Sequence, residues 1–105
     1  MKIGIIISTA DPEKVWNALR FANTAISEKH QVKIFLLGQG VEIEKIKSEK
    51  FNVGEQLDKL KQLGGTMLAC GTCIKSRDMQ FEACPISTMK DMLKLVVEYD
   101  RILTF

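Results

Sequence analysis

The sequence predicts an α/β protein in which a parallel sheet carries helices on both faces. The first observation is the apolar run Ile3–Ile7, which is β-branched apart from Gly4 and typical of a strand buried on both faces. The second is the alternation of such runs with segments whose apolar residues recur at helical spacing. The third is the length of 105 residues, which suits one hydrophobic core. We therefore interpret residues 1–105 as a single domain.

The first helix is predicted by its amino-terminal cap. After a loop at Ser8–Asp11, Asp11 suits the N-cap position and Pro12 suits the first helical residue. The helix is expected to run to Glu28, because its apolar residues recur at helical spacing. These residues are Val15, Ala18, Leu19, Ala22, Ala25 and Ile26.

The second strand is predicted over Gln31–Leu37, whose continuously apolar end indicates burial. Gly38-Gln39-Gly40 would close this strand, since glycine permits a positive φ in a tight turn. A short amphipathic helix is expected over residues 41–46. A polar loop over residues 47–54 would follow, with Phe51 as its anchor.

The next unit carries the two cysteines that lie closest together in the sequence. A helical face from Val53 to Leu63 ends at Gly64-Gly65, which is a typical C-cap. The third strand is predicted over Thr66–Ala69, and the turn Cys70–Cys73 follows it. A short helix over Ile74–Arg77 would complete the unit.

The carboxyl-terminal part predicts one more helix and a final strand. Residues 78–82 are left unassigned, and Ala83–Ile86 is expected to be extended because a proline disfavours helix in the residue before it. Ser87 or Thr88 would cap the helix, and Arg101–Phe105 would form the strand. The helix has the most regular apolar stripe in the chain, whose methionines we interpret as core-facing: Met89, Met92, Leu93, Val96 and Val97.

Composition and charge argue against several classes of partner. A formal net charge of +2, with basic residues interspersed among acids and few aromatics, does not favour nucleic acid. The amino-terminal apolar run is too short for a signal peptide, and no stretch approaches the roughly 18 apolar residues of a membrane span. We expect a cytoplasmic protein, in which the odd count of three cysteines does not suit a disulfide scaffold.

The strongest chemical signal is the CxxC motif Cys70-Gly71-Thr72-Cys73 at a predicted strand-to-helix junction. Ligands gather beyond the carboxyl ends of parallel strands. The loops Ser8–Asp11, Gly38–Gly40 and Cys70–Cys73 are therefore expected to converge at one edge of the sheet.

Cys70 and Cys73 are our catalytic candidates. The positive end of a helix dipole stabilises a thiolate, and Lys75 and Arg77 would add to this effect. On spacing alone the motif is also compatible with a redox pair, half of a zinc site, a sulfur carrier or two packed structural thiols.

Zinc is the least favoured of these interpretations. A structural zinc site needs four ligands, and Cys84 and His30 are the other donors. His30 precedes the second strand, so a strand of roughly 16 Å separates it from the motif. We expect neither a metal nor a cofactor. Cys84 is interpreted as structural, with a place beside the Cys70 loop as the alternative.

The chain resembles the DsrE/DsrF-like family, which includes sulfur-relay subunits such as TusD. An ordered set of segments that covers most of the chain carries the resemblance, and no single motif in it is highly specific. The segments are Ile3–Ile7 with Asp11-Pro12-Glu13, Leu37–Val41, Leu60–Gly65 and Ala69–Arg77.

The resemblance implies a flavodoxin-like (DsrE-like) fold of about five strands, often assembled as trimers or hexamers. It also implies a persulfide-carrying cysteine at the end of the strand before an arginine-containing helix. That role falls on Cys70, with Cys73 as a resolving or second carrier cysteine. The chain departs from the family at Asp78, where a glycine often follows the arginine, and this departure puts the local turn in question.

Two hypotheses of function follow. In the first, Cys70 accepts sulfane sulfur from a donor protein or small compound and passes it to a partner thiol; whether this makes the chain a sulfurtransferase is left open. In the second, the chain is a non-catalytic oligomeric assembly or ligand-binding module with structural or redox-sensing thiols at Cys70 and Cys73. Apolar residues on Met79–Phe81 and on residues 41–51 are expected to serve an interface between subunits.

Overall fold

Strands and helices alternate along the chain, as the sequence predicts. A computed structural model describes residues 1–79 and 85–105. Its elements, in order, are β1 (Lys2–Ile7), α1 (Pro12–Ser27), β2 (Gln31–Leu36), a 3-10 helix (Gly38–Lys45), α2 (Val53–Gln62), β3 (Thr66–Cys70), α3 (Gly71–Ser76), β4 (Ile86–Ser87), α4 (Met89–Glu98) and β5 (Arg101–Thr104).

The five strands form one sheet in the order β4-β3-β2-β1-β5. Every neighbouring pair is parallel, which confirms the predicted flavodoxin-like sheet. The chain moves outward from β1 to β4 and then returns to β5 on the other side of β1. Because crossovers between parallel strands are right-handed, this reversal places α4 on the face opposite to α1 and α2. Leu95 of α4 accordingly lies against Gly4, where an added Cβ would meet Leu95 side-chain atoms at 3.0 Å.

The core lies on both faces of the central strands β1 and β2. Burying one such Ile, Leu or Phe side chain contributes about 1.5–3 kcal/mol, so these two strands supply much of the apolar stabilisation. Phe51 also packs as predicted, with its ring 5.3 Å from that of Trp16. The core residues of the two strands are Ile3, Ile5, Ile6, Ile7, Val32, Ile34, Phe35 and Leu36.

Three helices end in the same hydrogen-bonded motif, in which the residue after the C-cap has a positive φ; in α1 that residue is Lys29 (φ 68°). In α2 that residue is Gly64 (φ 79°), as predicted. In α3 it is Asp78 (φ 49°), whose N–H donates to the Lys75 carbonyl while the Met79 N–H donates to the Ile74 carbonyl. Aspartate tolerates this conformation better than most residues. The turn that glycine often forms in the resembling family is therefore formed here by Asp78.

Element boundaries near the motif differ from the prediction. The helix predicted over Ile74–Arg77 begins at Gly71, and the helix predicted over residues 41–46 is a 3-10 helix that begins at Gly38. α3 begins directly after β3, and the 3-10 helix begins after β2 with only Leu37 between them. The extended segment is β4, Ile86–Ser87. Cys84 and the rest of residues 80–84 lie outside the described residues.

Most of the apolar stripe of α4 does not face the core. Leu95 and Met92 point toward the sheet, whereas Leu93 and Val97 are 63% and 73% exposed. The arc of apolar residues around this helix is wider than the contact that one sheet face provides, so the outer part of the arc meets solvent. The core-facing interpretation of Met89 is wrong, since that side chain is exposed.

Three of the apolar residues expected to serve an interface pack inside the chain instead. Val41 and Ile43 belong to the core, and Met79 packs against it. Phe81 lies outside the described residues. No helix within residues 1–79 and 85–105 is long and apolar enough to cross a membrane.

Asp78→Gly is expected to raise the free energy of unfolding by about 0.5 kcal/mol, because glycine adopts a positive φ without strain. Asp78→Val is expected to lower it by about 1–2 kcal/mol, since a β-branched side chain is strained there. The midpoint of urea denaturation measures both.

The same exchange in the middle of an exposed helix serves as the control. Asp58→Gly in α2 should lower the free energy of unfolding by about 0.3 kcal/mol, because glycine disfavours helix. If Asp78→Val were as stable as the unsubstituted protein, the strain assigned to Asp78 would be wrong.

Candidate functional site

The CxxC motif lies where the direction of the chain reverses in the sheet. Cys70 ends β3 and Ser87 ends β4, and the two residues are partners in the parallel register. By the right-handed rule, α3 after β3 and α4 after β4 lie on opposite faces of the sheet, and a crevice is expected beyond the carboxyl ends of these strands. This is the position at which ligand sites form in open parallel sheets.

The three loops predicted to converge do lie side by side. The Leu37 N–H donates to the Ile7 carbonyl at 2.9 Å, which joins the ends of β2 and β1. Gly40 then passes so close that an added Cβ would lie 2.0 Å from the Ile7 oxygen. On the other side, the Gly38 N–H donates to Cys73 Sγ at 3.2 Å. The loop after β2 therefore lies between the start of the loop after β1 and the motif.

Helix α3 brings the two sulfur atoms together. Cys70 is its N-cap, with extended backbone (φ −66°, ψ 115°), and Cys73 is its third residue. Side chains at these two positions are neighbours across the first turn, as in a capping box. Both thiols are free, and their side chains are hydrogen-bonded to each other.

Burial raises the pKa of the Cys70 thiol, and Cys73 raises it further through the hydrogen bond between the sulfurs and through its charge. Backbone N–H groups of Cys73 and Thr72 at the start of α3 oppose the shift and are outweighed. The side chain of Cys70 is only 2% exposed, which explains why desolvation dominates. The expectation of a helix-activated thiolate with a lowered pKa is therefore wrong for Cys70.

The basic residues of α3 do not act on the Cys70 sulfur. Arg77 Nε pairs with a Glu42 carboxylate oxygen at 3.1 Å, and its Nη1 donates to the Cys73 carbonyl at 3.2 Å. Lys75 is exposed. Arg77 thus ties the end of α3 to the 3-10 helix and supports the geometry of the site.

A polar group beside Cys70 was missed by reasoning from the sequence. The Ser87 hydroxyl donates to the Asp91 carboxylate, and the Thr88 N–H donates to the same carboxylate at 3.2 Å. These bonds lower the pKa of Asp91, with the Ser87 hydroxyl as the largest cause. Thr88 is the N-cap of α4, as predicted, and the spacing Thr88-x-x-Asp91 was the available signal.

His30, one of the donors considered for zinc, lies far from the CxxC motif. His30 directly precedes β2, at the amino end of the sheet, about 23 Å along the strands from the level of Cys70. It is half-buried rather than solvated. Within residues 1–79 and 85–105, no three His, Cys, Asp or Glu side chains are grouped to hold a metal ion.

Asp91→Asn is expected to destabilise the protein at neutral pH, because the carboxylate accepts three hydrogen bonds at the start of α4. A carboxylate whose pKa is lowered by folding stabilises the folded protein above its unfolded pKa of about 3.9. This stabilisation is lost as the pH falls through the pKa of the folded state. The difference in the free energy of unfolding between Asp91→Asn and the unsubstituted protein should therefore shrink as the pH falls through the folded pKa of Asp91. Urea denaturation across pH measures it.

The other end of α4 provides the matched control. Glu98→Gln removes a carboxylate from the carboxyl-terminal turn, where the helix dipole does not favour a negative charge. We expect no such loss of stability. An equal loss for both variants would show that the hydrogen bonds of Asp91 do not stabilise α4.

Two solved structures share the fold. The ychN protein of Escherichia coli is similar over the whole of both chains, with a TM-score of 0.83 and 21% sequence identity. A conserved protein of unknown function from Bacteroides thetaiotaomicron, BT1422, has a TM-score of 0.79 and 18% identity over 99% of this chain and 94% of its own. At these identities the similarity establishes the fold alone.

Sequence comparison identifies the family as well as the fold. The uncharacterized protein MJ0989 of Methanocaldococcus jannaschii is 37% identical over 114 aligned positions that cover all of both chains. The uncharacterized protein MK0008 of Methanopyrus kandleri is 36% identical over 98% of this chain and 93% of its own. A model of the DsrE/DsrF-like family matches residues 1–105. The chain belongs to the DsrE/DsrF-like family.

Proposed function

We propose that this protein carries sulfane sulfur as a persulfide on its CxxC pair, with Cys70 as the carrier and Cys73 as its partner. The observation that supports the proposal is the placement of two hydrogen-bonded free thiols at the carboxyl end of β3, next to the end of β4. Membership of the DsrE/DsrF-like family is in keeping with a sulfur-relay role.

The chemistry needs no outside oxidant. A thiolate of the pair attacks the sulfane sulfur of a donor such as a polysulfide, and a new S–S bond forms as the donor S–S bond breaks. The electron pair of the broken bond leaves with the remaining donor sulfur. A partner thiolate then attacks the outer sulfur in the same way, which returns the cysteine of this protein to its thiolate.

One observation favours a second candidate function. Cys70 is almost fully buried and its pKa is raised, as expected for an inert structural thiol. In that case the chain is a non-catalytic assembly or binding module. Slow alkylation of both cysteines and no uptake of sulfur would favour this alternative.

We propose a second copy of the chain as a further partner, in contact with the exposed apolar face of α4. This face comprises Met89, Leu93, Val96 and Val97. It is flanked by Lys90 and Lys94 toward one end and Glu98 at the other. Two such helices packed antiparallel would bury both apolar faces and set lysines against glutamates.

Incubation of the reduced protein with polysulfide is expected to add the mass of one sulfur atom, because the pair can accept sulfane sulfur. Intact-protein mass spectrometry measures the increment, and subsequent treatment with dithiothreitol should remove it. The double variant Cys70→Ser/Cys73→Ser should take up none.

Cys84→Ser is the matched control and should take up sulfur like the unsubstituted protein. No increment on the unsubstituted protein, or an increment that persists in the double variant, would contradict the proposed function.

The unsubstituted protein is expected to sediment as an oligomer of its 11.8 kDa chain. Leu93→Glu/Val97→Glu should shift it toward the monomer, because buried carboxylates in an apolar contact are unfavourable. Sedimentation velocity measures both.

Lys59→Glu on the exposed face of α2 provides the control for added charge. A monomer at high concentration, or an oligomer that the double variant leaves intact, would refute the contact.

A further inference from the structure

The two thiols of the motif differ in exposure. Cys70 is 2% exposed, and Gly71 beside it is packed so closely that an added Cβ would lie 2.9 Å from Ile86 Cγ2. Cys73 is half-buried. A donor must bring its sulfane sulfur to about 3–3.5 Å from the attacking sulfur, in line with the bond that breaks. Cys73 is the sulfur that a donor outside the protein can reach first.

Cys73 accepts a hydrogen bond from outside its own helix, from the loop after β2. The Gly38 N–H donates to Cys73 Sγ at 3.2 Å, from a residue held at φ 55° by the start of the 3-10 helix. A hydrogen bond from a backbone N–H stabilises a thiolate more than it stabilises a thiol. The loop after β2 therefore supplies a donor to Cys73 specifically.

The pKa of the Cys70 thiol is raised, first by burial and then by its hydrogen bond with the Cys73 sulfur, so the neutral thiol is the favoured form of Cys70. Cys73 Sγ accepts a hydrogen bond from the Gly38 N–H and is also hydrogen-bonded to the Cys70 sulfur.

We propose that sulfur enters the pair at Cys73 and is then handed to Cys70, an assignment that rests on the proposed sulfur-carrier function. In the first step the Cys73 thiolate attacks the donor, the donor S–S bond breaks, and the donor thiolate leaves with the electron pair. In the second step Cys70 attacks the outer sulfur of the Cys73 persulfide. The bond between the two persulfide sulfurs breaks, and the departing Cys73 sulfur takes the proton that Cys70 gives up.

The second step stores the sulfur in the less accessible position. The net change is from a persulfide on Cys73 and a thiol on Cys70 to a thiol on Cys73 and a persulfide on Cys70. One S–S bond breaks and one forms, so no oxidant or reductant is consumed. On Cys70, which is 2% exposed, the sulfur is shielded from thiols in solution.

Alkylation of the unsubstituted, reduced protein tests the order directly. A limiting amount of iodoacetamide at neutral pH should label Cys73 ahead of Cys70 by at least about tenfold, because Cys70 is buried and retains its proton. Both cysteines lie on the tryptic peptide of residues 62–75, so fragmentation of that peptide locates the first label.

Sulfur uptake from polysulfide gives the second measurement. Cys73→Ser should slow the initial uptake by at least about tenfold. Cys70→Ser should instead retain the sulfur on Cys73, as located by fragmentation of the same peptide. Cys84→Ser should match the unsubstituted protein in both respects.

The outcomes separate the two proposals. If the unsubstituted protein takes up no sulfur, the carrier function fails, and the alkylation order still decides which thiol is the nucleophile. If it takes up sulfur while Cys73→Ser does so at the same rate, the carrier function stands and entry at Cys73 is overturned. A first label on Cys70 also overturns it, and that measurement does not depend on the folding of any variant.

Discussion

The parallel register of β1 is the constraint on which the rest of the structure depends. β1 pairs with β2 along one edge and with β5 along the other, so its position determines both directions in which the sheet grows. Outward growth through β3 to β4 and the return to β5 create the reversal beside Cys70. The run Ile3–Ile7 thus stabilises the core and, through topology, determines where the crevice forms.

The fold could be predicted because its signals are local. The buried run of β1, the cap at Asp11 and the glycine that ends α2 each have one physical interpretation, and all three are confirmed. The site was predicted less completely. The position of the motif at a strand end follows from the alternation of strands and helices. The hydrogen bond from Gly38 to Cys73 depends instead on where the 3-10 helix begins, and the periodicity of apolar residues does not reveal that position.

Two further differences arise from competition between effects. At Cys70 the helix dipole and desolvation act in opposite directions, and the sequence shows the dipole but not the burial. Along α4 the apolar periodicity correctly predicts a helix, yet periodicity cannot distinguish the apolar residues that the sheet covers from those that are exposed. Leu93 and Leu95 are equally apolar. Leu93 is exposed and Leu95 is buried because their side chains point in different directions from the helix.

The contact between Gly38 and Cys73 has a consequence for observing the protein at work. A sulfur atom added to Cys73 lies one S–S bond, about 2.05 Å, beyond Sγ and changes the acceptor that the Gly38 N–H meets. The amide resonance of Gly38 should therefore shift when sulfur arrives at Cys73 and shift back when it departs. The resonance of this one main-chain amide, just after β2, would therefore report whether Cys73 carries sulfur. Neither thiol would need a label.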